Sequence, residues 1–199
     1  AGFDRPNIRY GITPRDGLTK QLAAFVADNP GPGIIYAPTR DGTERIAAAL
    51  DRTGRPVRTY HAGLDPAVRA ANQHAFVASE DMVMVATIAF GMGIDKPDVR
   101  FVAHAGLPKS IEAYYQETGR AGRDGDPAVA QLFWGAEDFA RARSRIETDV
   151  DEARRRGERQ RLNALGALVE AGSCRRAILL RHFGETPPPA CGNCDNCLN

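Results

Sequence analysis

Gly33-Ile34-Ile35-Tyr36-Ala37-Pro38-Thr39-Arg40 has the pattern of a buried strand that ends in a polar turn. Its first five residues are an apolar run, and small polar residues close it. Asp41 to Leu50 then reads as a helix with Ile46, Ala49 and Leu50 on one face. The same alternation continues along the chain. Pro56-Val57-Arg58-Thr59-Tyr60 predicts a second strand, and Asp65 with Pro66 predicts an N-cap and first turn of a helix to about Ser79. Met82 to Ala86 predicts a third strand and Val99 to Ala103 a fourth. Ser110 caps a helix from Ile111 to about Gly119, and Ala128 to Trp134 is the last strand. Short, nearly continuous apolar strands separated by helices predict an α/β fold, a parallel sheet covered on both faces.

The β signal stops at about Gly135. Glu137 to Ile146, Asp151 to Ala171 and Cys174 to about Phe183 read as helices. The second carries Leu162, Leu165, Leu168 and Val169 on one side, and also Arg154, Arg155, Arg156, Arg159 and Arg161. Thr186-Pro187-Pro188-Pro189 cannot be helical. The chain therefore divides into residues 1–134, the sheet, and residues 135–199, a helical module with a cysteine tail.

Composition bounds the function. The chain has 199 residues, is 43% hydrophobic and 26% charged, and carries a formal net charge of +1. These values exclude a disordered tail and a collagen-like repeat. No apolar window is long enough to span a membrane. Net charge advertises no nucleic-acid partner, so any phosphate-binding surface must be local. The basic residues are 23 arginines and three lysines. Arginine is the better fork for phosphate, although a coding bias toward Arg and Ala gives the same count. The start, Ala1-Gly2-Phe3-Asp4-Arg5-Pro6, has no apolar core and no initiating Met, so it reads as a chain cut from something longer and not as a signal peptide.

The four cysteines are Cys174, Cys191, Cys194 and Cys197, with none in the first 173 residues. Such clustering argues for one local metal site and against a disulfide framework. A Cys-x-x-Cys turn points two sulfurs at one centre, a third follows on the next turn, and the fourth comes from the N-terminus of the preceding helix. Four thiolates describe a closed structural zinc site, with an iron–sulfur cluster, a redox pair or a disulfide as alternatives. The tail has too little apolar area to fold alone and is expected to be disordered without metal. His182 reads as surface or packing, since four Cys fill the shell.

In open parallel sheets function gathers beyond the strand C-termini. There lie Thr39 and Arg40, then His61 and Gly63, then the segment from Thr87 through Gly91 and Gly93 to Asp95. Thr39, Thr87 and nearby amides suit phosphate oxygens and Arg40 can add a charge-assisted bond, but ordinary turn chemistry explains the same residues equally well. The segment Gln116-Glu117-Thr118-Gly119-Arg120-Ala121-Gly122-Arg123-Asp124-Gly125 puts two arginines three apart where a helix ends at glycines. Two guanidinium groups on one face suit a polyphosphate. A helix end salt-bridged to Glu117 and Asp124 is the alternative.

Together the runs Tyr60 to Leu64, Val85 to Pro97 and Tyr114 to Gly125 closely resemble the motifs of the second RecA-like lobe of RecQ-family DNA helicases, in the family's order. Phe3-Asp4-Arg5-Pro6-Asn7-Ile8 resembles the segment entering that lobe, and Cys174-Arg175-Arg176 with Cys191 to Cys197 resembles the zinc-binding subdomain that follows it. The resemblance implies a RecA-like parallel sheet and a small helical zinc module. Arg123 then matches the arginine finger, Arg120 its partner and Gln116 the head of that motif. Asp95 and Gly93 fall near the nucleotide. Thr39, Arg40, His61, Gly63 and Thr87 fall in motifs that track the single-strand backbone, and Cys174, Cys191, Cys194 and Cys197 hold structural zinc. It further implies a 3′-to-5′ DNA helicase of repair and recombination, in the cytoplasm of a bacterium or the nucleus of a eukaryote. ATP, Mg²⁺ and DNA, as single strands and duplex junctions, are the implied partners. The chain has no Gly-x-x-x-x-Gly-Lys-Ser/Thr loop and no Asp-Glu-x-His box. ATP and Mg²⁺ would therefore bind only with a first lobe, and a winged helix would follow residue 199. The chain alone is expected to be inactive. A non-enzymatic, zinc-stapled module that binds DNA or a protein is the other reading.

Overall fold

A computed structural model describes residues 2–87, 90–91 and 94–199. The chain runs β1 (Ile8–Pro14), α1 (Leu18–Asp28), β2 (Gly33–Tyr36), α2 (Arg40–Asp51), β3 (Val57–Tyr60), α3 (Pro66–Ala78), β4 (Val83–Ala86), β5 (Phe101–His104), α4 (Ile111–Thr118) and β6 (Ala128–Trp134). Four helices complete it: α5 (Ala136–Asp149), α6 (Glu152–Glu170), α7 (Arg175–His182) and α8 (Asp195–Leu198).

The six strands form one parallel sheet in the order β1-β6-β5-β2-β4-β3. Strands β2, β4 and β5 are buried at every position, as their unbroken apolar runs require. Period-two alternation sends Ile35, Val83 and Val85 to one face, where Leu22 and Val26 of α1 and Ile46 and Leu50 of α2 cover them. On the other face Ile34, Tyr36, Met84 and Ala86 pack against Phe76 of α3 and Phe90. Farther along that face, Ile8, Tyr10, Ile12 and Leu132 pack against Ile111 and Tyr114 of α4, Leu165 and Leu168 of α6 and Leu179 of α7. The cysteine-bearing helices thus share a core with the sheet.

The predicted strands and helices are all present, with ends moved by a few residues. Strand β1 and helix α1 go beyond the prediction. Gly11 and Pro14 break the apolar run of β1, yet Ile8, Tyr10 and Ile12 alternate inward as an edge strand should. Helix caps follow the residues expected. Asp65 accepts from Ala67 N–H at 3.0 Å and Ser110 from Ala113 N–H at 3.0 Å. No helix among the described residues is long and apolar enough to cross a membrane.

Candidate functional site

The first cluster lies along one rim of the sheet. Strands β2, β4 and β3 are neighbours, so Thr39, Thr87 and His61 emerge side by side at their C-terminal ends. The amide of Thr87 donates to Tyr60 O at 3.1 Å, and that of Ala37 to Ala86 O at 2.8 Å. Thr39 caps α2 by accepting from Gly42 N–H at 3.0 Å and is exposed, as are Arg40 and Gly63. His61 is different. It is buried, its Nε2 lies 2.8 Å from Glu44 Oε1, and its Nδ1 accepts from Gly63 N–H at 3.1 Å. Both ring nitrogens are used inside the protein, so His61 shapes the turn that presents Gly63.

The second cluster is the turn after α4. Its amides tie it to the segment before β5: Gly122 N–H donates to Val99 O at 2.8 Å and Asp124 N–H to Pro97 O at 3.1 Å. Lys96, buried, anchors that segment by donating to Val77 O at 3.0 Å and Ser79 O at 2.7 Å. A shallow depression results, lined by Gly91, Ile94, Lys96, Arg120 and Arg123, with Asp95 exposed next to it. Gly93 lies outside the described residues. Arg120 is half-buried and donates from Nη1 to Gly91 O, while its Nε is buried with no partner. Burial pushes the nearby Tyr36 hydroxyl up to about 12, against the opposing pull of Arg120. Gln116 and Arg123 are exposed.

The two carboxylates of this turn's own segment, Glu117 and Asp124, are engaged elsewhere. Glu117 Oε1 lies 2.8 Å from Nε2 of the buried His104. Both carboxylate oxygens of Asp124 accept from Arg100 Nη2, at 2.6 and 2.7 Å, which holds its carboxyl below the usual range. Arg123 is left with no ion pair among the described residues. Sequence reasoning missed His104, whose partner depends on sheet order. It also missed the use made of Arg5 and Asn7, which contact this turn from the far end of the chain.

The third cluster is the cysteines. Their four Sγ atoms all lie within 4.8 Å of one another, and Cys191 and Cys197 are 3.9 Å apart. A tetrahedral zinc with Zn–S bonds of about 2.3 Å needs sulfurs about 3.8 Å apart, so the four residues fit one ion. All four are free thiols, and a multi-iron cluster would need them spread wider. Burial pushes the Cys174 thiol up to about 12, whereas the Gly192 amide and other hydrogen bonds bring Cys197 down to about 7. Four thiolates this close repel each other, so the set is satisfied only around a cation. Cys174 caps α7 by accepting from Ala177 N–H at 3.4 Å, as its place at a helix start predicts. His182 instead lies 2.6 Å from Glu112.

Residues 17–125 match the family of helicase conserved C-terminal domains, and residues 136–198 match the RecQ zinc-binding family. The chain is 47% identical over 198 residues to the ATP-dependent DNA helicase RecQ of Haemophilus influenzae, covering 99% of this chain and 32% of the relative. It is 38% identical over 199 residues to the protein of that name from Bacillus subtilis, covering 100% of this chain and 34% of the relative. The chain thus spans about a third of the length of these relatives. Among solved structures the C-terminal domain of the DEAD-box protein Dbp5 is similar, with a TM-score of 0.59 at 22% identity, over 75% of this chain and 89% of that one. At that identity the likeness concerns the fold.

Proposed function

We propose a role for this chain, which belongs to the RecQ-type helicases as their conserved C-terminal domain joined to the RecQ zinc-binding region. The role is half of an ATP-driven, 3′-to-5′ DNA motor, with residues 1–134 as the second RecA-like lobe and residues 135–199 as its zinc module. Arg123 is the arginine finger, Arg120 and Gln116 serve the same motif, and Asp95 with Gly93 borders the nucleotide. The first lobe of the full-length helicase cradles ATP and its Mg²⁺.

The observation that carries this reading is the state of Arg123. It is exposed and makes no ion pair among the described residues, while Glu117 and Asp124 are bonded to His104 and Arg100. A guanidinium without a carboxylate partner is available to a γ-phosphate brought from across a cleft. There it stabilises charge on the transferring phosphoryl group.

The rim supplies the track. Thr39 and Thr87 offer hydroxyls and Arg40 a cation suited to phosphates and not to base edges, and His61 holds the exposed Gly63 turn in shape. Backbone-only contact lets a motor step over any sequence. Thr87 on the rim and Asp95 on the nucleotide side are close neighbours in the chain, a short covalent link between hydrolysis and strand. Zinc supplies only the bond that holds the four thiolates together.

Arg123→Ala in the full-length helicase tests the reading. ATP affinity stays within about twofold, and DNA-stimulated turnover falls by about 10³-fold or more. Near-normal turnover would remove Arg123 from catalysis. The 199 residues alone, with single-stranded DNA, are expected to give no turnover in the same assay.

A further inference from the structure

The segment Asp4-Arg5-Pro6-Asn7 enters the lobe, yet two of its side chains reach across to the arginine turn. Helix α4 ends at Thr118, and the carbonyls that follow lack helical partners. Arg5 satisfies three of them: Nη1 donates to Gly119 O at 2.8 Å, and Nη2 to Ala121 O at 2.8 Å and Gly122 O at 3.2 Å. Asn7 Nδ2 donates to Gly122 O at 2.8 Å and to Asp126 O at 2.8 Å. A planar fork can serve a row of carbonyls, whereas an ammonium offers one point of attachment. Its charge also suits a helix C-terminus. Gly122 has φ +58°, and a Cβ there would stand 2.5 Å from Asn7 Nδ2. The turn can close onto Asn7 only with glycine at that position.

The segment is held from behind by the cysteine module. Buried Arg176 donates to Arg5 O at 2.6 Å, to Asp4 Oδ1 at 3.2 Å and to Ile8 O, and its guanidinium lies 5.2 Å from the Tyr10 ring. Asn193 Nδ2 reaches Pro6 O at 3.4 Å. Residues 4–8 are thus pinned on one side and grip the arginine turn on the other.

We propose that Arg5 and Asn7 are positioning residues for Arg123, an inference that rests on the function proposed above. Arg123 follows Gly122 directly, so rotation of the 119–122 turn swings its guanidinium. The Arg5 fork removes that freedom. Neither Arg5 nor Asn7 touches nucleotide; they act by fixing where the finger points. A displacement of about 1 Å at a reacting group costs about 100-fold in rate.

The test uses the full-length helicase with Arg5→Lys, Arg5→Ala, Asn7→Ser and, as a control, Arg123→Ala. We measure turnover, KM for ATP, and affinity for ADP with and without aluminium fluoride, which mimics the transferring phosphoryl group. Arg5→Lys should lower kcat about 10- to 100-fold and weaken the ADP–aluminium fluoride complex in parallel. KM and ADP affinity should stay within about twofold and zinc content at one per chain. Asn7→Ser should show the same pattern, smaller, and carries the test by the same criteria if Arg5→Ala is insoluble. Wild-type kcat in Arg5→Lys, or equal loss of ADP and ADP–aluminium fluoride affinity, overturns the proposal while Arg123→Ala still collapses turnover. An active Arg123→Ala protein instead sinks the function on which it rests.

Discussion

Glu117 occupies the last turn of α4, where the helix dipole disfavours a negative charge. Its side chain is 12% exposed, so water compensates it poorly. His104 does so, from the end of β5 and at 2.8 Å, with its ring between Tyr36 at 5.4 Å and Tyr114 at 5.3 Å. His104→Phe keeps the ring stack and strands the carboxylate, which should cost about 3 kcal/mol. His104→Phe with Glu117→Leu removes both partners and should recover most of that loss. Urea unfolding of the 199-residue chain checks both, and a single variant as stable as wild type would show that the pair contributes nothing. The sequence exposes Glu117 as a carboxylate beside two arginines, and that is where its legibility ends. Whether it neutralises an arginine or a histidine depends on which strand end lies under α4, a matter of sheet order and not of local pattern.

Helix α2 begins at the rim, and its first residues face two demands. Thr39 caps the helix through its hydroxyl, and in the proposed function it also faces the DNA strand. Two substitutions separate these roles. Thr39→Ala loses the cap, about 1 kcal/mol, which in a domain of this size lowers Tm by roughly 2–4 °C. Thr39→Asp keeps the cap and adds a charge the helix N-terminus favours, so Tm should hold or rise. That charge repels phosphate, so single-strand affinity of the full-length helicase at fixed salt should fall about tenfold. Unchanged affinity in Thr39→Asp would take the rim off the DNA path. Element reading from sequence succeeded where burial is two-sided, since β2, β4 and β5 are continuous apolar runs that leave no register to guess. It failed at β1 and α1. Strand β1 alternates around a glycine and ends in proline, so its signal is that of an edge, and α1 starts at a left-handed Gly17 with no side-chain cap, so no start signal marks Leu18, Leu22 and Val26.

Across the whole molecule the cysteine module closes an edge of the sheet. Strand β1 lies at one end of the strand order, and an open edge invites pairing with another chain. Here Cys194 bridges to Tyr10, and Asp195 Oδ2 accepts from the Ile12 amide at 3.0 Å. Arg175 holds Asp195 at 3.0 Å while donating to Leu168 O and Val169 O, which ties the tail to the end of α6. The cysteine spacing shows that the tail needs a metal, but nothing in it shows where the tail docks, because Ile12 lies 183 positions from Asp195. Structural zinc supplies about 10–16 kcal/mol of coupled folding free energy, more than the tail's small polar residues can replace. Chelation at neutral pH should therefore free the tail and uncover the edge together. In hydrogen exchange, residues 191–198 and the Ile12 amide should lose protection on zinc removal, while β2 and β4, buried at every position, keep theirs. The stripped protein should also self-associate with rising concentration, through the edge that Cys194 and Asp195 cover. If Ile12 stays protected and the protein monomeric after the metal is gone, the sheet edge is held by the helical core alone and the zinc stabilises no more than its own loop.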